Sequence, residues 1–297
     1  MKRNVYQDVT DRIVAQMEKG IIPWRQPWTL LGGAVSYATG KSYSMLNQFL
    51  LGREGEWLTY PQIQAQGGHI NKGAKAGMVV FCKQVKITQK VTNEEGQEEE
   101  RAISVPVLRS YNVFHINDCT GIESKQKKAT EVPLQPVDKA EEIIQDYVQR
   151  EGLQFVNGQP SDSAYYNKVL DRVVVPCMEQ YTIVEEYYST AFHELTHSTL
   201  KESRCNRESA HEMAAFGSTE YSREELVAEI GSAMLCGVAG LDCEKAFKNS
   251  VAYLQSWLKM LKGDNRAIVY AAAKAEKSTN YILNIKDNGN NGGNQED

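Results

Sequence analysis

Two histidines bracket a glutamate in His193-Glu194-Leu195-Thr196-His197, an HExxH pattern, in a 297-residue chain with only five histidines. On a helix, positions i and i+4 share a face, so both imidazoles can bind one ion. Glu194 between them is placed to hold a water that the ion activates and to take its proton, which is the chemistry of metal-assisted hydrolysis. This implies one divalent metal, with Zn2+ preferred, and zinc needs a third protein ligand and an open position. His211 offers one more imidazole, but it sits in a polar stretch. Glu225 and Glu229 are better placed, four residues apart in REELVAEIGSAML and followed by small residues that let helices pack closely. Glu225 is read as the ligand and Glu229 as the carboxylate that orients a ligand histidine, with the reverse assignment open. A hydrolase of this kind also needs a donor for the developing oxyanion. Tyr221, His211, Tyr187 and Tyr188 are the candidates, and Tyr221 joins Glu194 in the catalytic set.

These residues need rigid elements to hold them. EEYYSTAFHELTHSTL predicts a helix with Ala191, Phe192, Leu195 and Leu200 on its buried side. REELVAEIGSAML predicts the acidic helix that faces it. DKAEEIIQDYVQRE (138–151), EKAFKNSVAYLQSWLKML and RAIVYAAAKAEKSTNYIL predict three more helices, and LQFVNG and KVLDRVVVP two strand-like pieces. The VVVP segment is expected to be an edge strand able to pair with an extended substrate backbone. KDNGNNGGNQED, 286–297, has the composition of a disordered tail.

The first part of the chain has a different character. Val5, Val9, Ile13 and Met17 form one face of an opening amphipathic helix that Gly20 ends. MLNQFLL predicts a short helix, and EWLTYPQIQAQG another with Pro61 in its first turn. MVVFCKQVKIT and RAISVPVLRSYNVFHI, separated by NEEGQEEE, predict a long β-hairpin with a solvated tip. SKQKKATEVPLQP, 124–136, with its basic run and two prolines, reads as a linker.

The net charge is −5, unevenly spread. Through Lys125 there are 15 basic and 12 acidic residues, net +3; beyond it there are 18 and 26, net −8. Five of the 12 early acids fall between Glu94 and Glu100. Away from that stretch, aromatic residues alternate with cations, among them Phe81, Tyr111, Lys86 and Arg109. Aromatic platforms between basic side chains are the ingredients of single-stranded nucleic-acid binding. Trp24, Arg25, Trp28, Lys41, Tyr43, Lys72, Lys75 and Lys83 are taken as the DNA contacts, with Lys72 and Lys75 on a Gly-flanked, phosphate-contacting loop.

No apolar run approaches the roughly 20 residues of a membrane span. The N-terminus has no continuous apolar core of a signal peptide, so a cytoplasmic location without membrane association is expected. Six cysteines without a CxxC pair read as free thiols.

VYQDVTDRIVAQMEKGIIPWRQPW, SYATGKSYSMLNQFLL, EWLTYPQIQAQGG and KGAKAGMVVFCK resemble the N-terminal single-stranded-DNA-binding domain of ArdC-type antirestriction proteins. YYSTAFHELTHSTL and YSREELVAEIGSAML resemble the metallopeptidase domain of the same family, in the same order. The resemblance implies an α+β protein of two domains: an N-terminal α+β ssDNA-binding module, 1–123, and a C-terminal zincin-like, gluzincin-type metallopeptidase domain, 137–285. The family's metal motif falls on His193, Glu194 and His197, and its acidic helix on Glu225 and Glu229. Other gluzincins usually carry Asp or Asn at the last of these positions. The implied function is binding of single-stranded DNA entering by conjugation, in preference to double-stranded DNA, and its protection from host restriction. The resemblance does not identify a protein that is cleaved; the expected partner besides DNA is a host restriction enzyme or another DNA-bound protein. A DNA shield with a structural metal site, or a protease for DNA–protein crosslinks, are the alternatives.

Overall fold

The computed structural model describes residues 4–25, 33–92, 98–125, 136–207, 219–242 and 251–285. Helix α1 (Val5–Met17) opens where the Asn4 side chain accepts hydrogen bonds from the Tyr6 and Gln7 amides, and the chain leaves it through Gly20 at φ 80°. Its apolar face buries Val9, Ile13 and Met17, the residues the 3.6-residue period selects. After β1 (Ala34–Ser36) and α2 (Met45–Leu51), the EWLTYPQIQAQG segment divides. The expectation of a single helix is corrected here: Gly55–Leu58 is strand β2, and only Tyr60–Ala65 is helical (α3). Trp57 and Leu58 pair with His115 and Phe114, and this ladder outweighs local helix propensity. A capping interaction, the Thr59 amide donating to Gln62 Oε1, starts the helix afresh with Pro61 in its first turn.

β3 (His69–Ile70) pairs with β6 (Cys119–Thr120), and between them run the long strands β4 (Gly77–Thr92) and β5 (Glu98–His115). Their antiparallel register runs from Gly77 opposite Val113 to Thr92 opposite Glu98. The four-stranded sheet has the order β1-β2-β5-β4, with β1 and β2 parallel. Two buried amides fasten α2 to it. Asn47 exchanges two hydrogen bonds with the Val80 backbone (2.7 and 2.9 Å), and Gln48 does the same with Ala34 (2.7 and 2.9 Å). Each side chain thereby occupies a place that a neighbouring strand would otherwise fill.

Of the expected linker 124–136, Lys125 is held against the sheet, its amide donating to Glu56 and its ammonium 4.0 Å above the Tyr37 ring. Residues 126–135 lie outside the described residues, and α4 (Pro136–Glu151) begins at the linker's last position. A second sheet, ordered β7 (Gln154–Val156), β9 (Arg172–Val174), β8 (Tyr165–Asn167), packs beside α5 (Val184–Ser198). The expectation that VVVP is an edge strand is also corrected. β9 pairs with β7 on one side and β8 on the other, which consumes both its edges, so β7 and β8 are the edge strands of this sheet. Helices α6 (Thr219–Ala239), α7 (Val251–Gly263) and α8 (Ala267–Ile282) complete the fold. The tail 286–297 lies outside the described residues, and among those described no helix is long and apolar enough to cross a membrane.

The α+β chain has two domains, yet its largest apolar cluster belongs to neither alone. Val9, Ile13, Met17, Trp24, Phe49, Met78 and Val80 from the first half pack with Leu226, Val227, Ile230, Trp257, Leu261 and Ile268 from the second. Polar contacts frame the seam: Thr10 donates to the Asn265 carbonyl at 2.9 Å, and the Arg266 guanidinium lies over the Tyr6 ring. A separate cluster under α5 joins α4, the β7-β9-β8 sheet and the C-terminal half of α6.

Candidate metal centre

Helix α5 buries Tyr187, Tyr188, Ala191, Phe192 and Leu195 on one side, which aims His193 and His197 to the other. Their Nε2 atoms stand 3.1 Å apart. Helix α6 crosses close by because residue 231 is glycine: a Cβ there would lie 2.7 Å from Thr196 Cγ2. That approach brings Glu225 over the histidine pair, with Oε2 3.4 Å from His193 Nε2 and Oε1 3.5 Å from His197 Nε2.

Among the described residues, His193, His197 and Glu225 form the one group able to hold a metal ion, with ligand atoms all within 4.8 Å of one another. Four ligands at the usual 2.0–2.1 Å from zinc would sit roughly 3.3 Å apart, the edge of a tetrahedron. The imidazole pair at 3.1 Å, with one Glu225 oxygen 3.4 Å from His193 and the other 3.5 Å from His197, has that scale, so two imidazoles and a carboxylate fit a divalent ion. Glu194, on the same helix, is buried.

A carboxylate not singled out from sequence, Glu224, also stands behind the histidines. Glu224 Oε1 lies 3.7 Å from His197 Nδ1, and Glu229 lies buried one turn further along α6, outside the ligand group. Glu224 is itself held by Arg207, whose Nε and Nη2 donate to its two oxygens at 3.2 and 2.9 Å. Arg207 also donates to Thr199 Oγ1, Ser278 Oγ and the Thr196 carbonyl, so one buried guanidinium joins α5, α6 and α8 behind the metal ligands. Burial works against a charged His197, but Glu224 and Glu225 outweigh it and raise its pKa to about 10. Burial likewise works against ionised Glu224 and Glu225, and their cationic neighbours hold both below the usual carboxylate range.

The other expected residues are placed as follows. Tyr187 and Tyr188 are fully buried with their hydroxyls engaged: Asn157 donates to Tyr187 at 2.7 Å, and Tyr188 donates to Glu141 at 2.9 Å. The Tyr188 proton is thereby committed to Glu141, and Tyr187, an acceptor from Asn157, is only 1% exposed. His211 and the side chain of Tyr221 lie outside the described residues. Trp24 is corrected as a DNA contact. It is 1% exposed, between Phe49 and Trp257 in the shared core, where no base can reach it. Trp28 and the Arg25 side chain lie outside the described residues. Lys41, Lys72, Lys75 and Lys83 are exposed, and Tyr43 is half-buried with its ring 6.3 Å from Phe81. The described cysteines are free thiols, as expected.

Replacing Glu225 with glutamine in the full-length protein is expected to weaken Zn2+ binding roughly a hundredfold by calorimetry, since even outer partners of metal ligands are worth 10–100-fold. Glu229→Gln should cost less than Glu225→Gln; the opposite order would make Glu229 the ligand. The sign of the pH dependence follows from His197. Its raised pKa means that the proton stabilises the metal-free state below pH 6.5, and that this stabilisation is lost as pH rises through about 10. Zinc needs the neutral ring, so affinity should rise with pH across the neutral range, with a proton released on binding.

Residues 3–114 match a family described as the N-terminal domain of anti-restriction factor ArdC, and residues 139–274 match one described as a zincin-like metallopeptidase. A DNA primase TraC of Escherichia coli is 30% identical over 95% of this chain, and the chain spans 27% of that protein. The metal-free crystal structure of the antirestriction protein ArdC from the R388 plasmid is 31% identical, with a TM-score of 0.69 covering 96% of this chain and all of that one. Its Mn(II)-bound structure gives a TM-score of 0.70 at 29% identity, covering 99% of this chain and all of that one.

Proposed function

Given that the chain belongs to the family of ArdC antirestriction proteins, we propose that it binds single-stranded DNA entering by conjugation and shields it from host restriction by hydrolysing a protein at that DNA. The observation that carries this reading is the group His193, His197 and Glu225 with Glu194 on the same buried helix. A divalent ion held by the three ligands, with zinc the best fit to two imidazoles and a carboxylate, would lower the pKa of water and polarise a carbonyl. Glu194 takes the proton of the attacking water and hands it to the departing amine. Arg207 holds Glu224, and Glu224 fixes the His197 ring with Nε2 turned toward Glu225 and His193.

The test uses the full-length protein. It should bind single-stranded oligonucleotides in preference to duplex, with an affinity that falls steeply with salt at about 0.7 log units per log unit for each phosphate contact. Added before a purified restriction enzyme, it should protect crosslink-free DNA, and a chelator should remove that protection. Protection that survives chelation would favour a passive shield. DNA binding without protection of crosslink-free DNA would favour a protease for DNA–protein crosslinks.

A further inference from the structure

The sequence pattern placed its leading aromatic DNA contact at Trp24, which the shared core occupies. The exposed rings lie on the β4–β5 hairpin. Residues opposite each other in an antiparallel pair share a face, as do residues two apart on one strand. Val79 opposite Tyr111, Phe81 opposite Arg109 and Lys83 opposite Val107 therefore form one continuous face. Phe81 is 37% exposed and Tyr111 44%, with ring centroids 5.8 Å apart at 63°, and Tyr43 borders Phe81 at 6.3 Å. Isolated exposed aromatics are ordinary; adjoining ones on a sheet are a surface with a use.

We propose that this face, centred on Phe81 and Tyr111 with Arg109 and Lys83 beside them, is where bases of single-stranded DNA stack; the proposal rests on the reading that the protein binds such DNA. Charge supports that occupant. Across Gly77–Thr92 and Arg101–His115 the sequence holds Lys83, Lys86, Lys90, Arg101 and Arg109 and no acid, in a chain of net charge −5. Of these, Lys83 and Arg109 are exposed on the same face as Phe81, whereas Lys86, an odd number of residues from Phe81, is exposed on the other face. Rings supply faces on which any base stacks, and the cations follow the phosphates.

The platform is also rigid. On the opposite face of β4, Met78 and Val80 are buried in the shared core, and Asn47 clamps the Val80 backbone. Little ordering remains to be done on binding. A duplex keeps its bases stacked on one another, so this face selects single strands.

The experiment is fluorescence anisotropy with a labelled oligothymidylate of roughly 20 nucleotides, longer than the roughly 4–16 nucleotides that single-strand-binding modules of other folds cover. The variants Phe81→Ala, Tyr111→Ala, Phe81→Tyr, Tyr111→Phe and Arg109→Gln are made in the full-length protein. Each alanine is expected to weaken binding at least fivefold, and the aromatic exchanges to stay within twofold. Arg109→Gln should also flatten the log–log salt slope by about 0.7. Unchanged zinc uptake and near-ultraviolet dichroism show that the variants fold. A wild type that binds while both alanine variants bind equally well overturns the platform and leaves DNA binding standing on another surface. Duplex binding lost in parallel with single-strand binding also overturns it. A wild type that binds no DNA overturns the platform together with the function it rests on. If an alanine variant fails to fold, photo-crosslinking of wild type to an oligonucleotide carrying 5-iododeoxyuridine decides. Adducts on the peptides holding Phe81 or Tyr111 support the platform, and adducts elsewhere overturn it.

Discussion

A Glu194→Gln chain should take up zinc and bind DNA within about twofold of the wild type, yet give no protection to DNA entering a restricting cell. Glutamine keeps the size and hydrogen-bonding reach of glutamate and loses its basicity. Glu194 is buried on the helix that carries both ligand histidines, where it can relay protons and an uncharged amide cannot. General-base contributions are typically 10²–10⁴-fold, and hydrolysis is expected to fall about a thousandfold. The readout is the transfer frequency of a plasmid encoding each variant into restricting and non-restricting recipients. With Glu194→Gln the restricting recipient should give the frequency of a deletion, and the non-restricting one should be unaffected. Full protection by the variant would mean that DNA binding alone suffices and that the metal centre is structural.

Arg207→Met should be the most destabilising single change near the site. Arg207 is buried and satisfies five acceptors, two of them the oxygens of the buried carboxylate Glu224. Removing one partner of a buried ion pair leaves the other charged and unpaired, which costs about 3–5 kcal/mol. In urea unfolding the midpoint should fall with an unchanged slope. Zinc affinity should fall roughly 10–100-fold, because Glu224 no longer holds His197. Arg207→Met combined with Glu224→Met separates the two effects. It removes the stranded charge and should recover most of the stability, while zinc affinity stays low. Recovery of both would show that Glu224 does not position the histidine.

What could be read from the sequence was what depends on near neighbours along the chain. His193, Glu194 and His197 lie within one helical turn, so their shared face follows from 3.6 residues per turn alone. Glu224 was passed over because choosing among 224, 225 and 229 requires the rotation of α6 against α5. A contact between Gly231 and Thr196, residues 35 apart, sets that rotation. No sequence pattern marks Arg207; its role comes from the chain folding back behind α5. Trp24 was misread for a related reason: alternation of aromatic and basic residues does not say which rings face inward. Phe81 and Tyr111 stood in the same pattern, and only the strand register makes them neighbours. The EWL segment misled because its partner, His115, lies far along the chain.

The core that α1, Trp24 and α2 share with α6, α7 and α8 bears on heredity. A recombination event that joined either half to a foreign sequence between Lys125 and Pro136 would strip apolar side chains of their partners on both fragments. Gene exchange would therefore discard such breakpoints and pass the two halves on as one cassette. The primase TraC matches 95% of this chain, across both halves, within a protein nearly four times as long. Transplanting the whole cassette preserves the seam; splitting it would not.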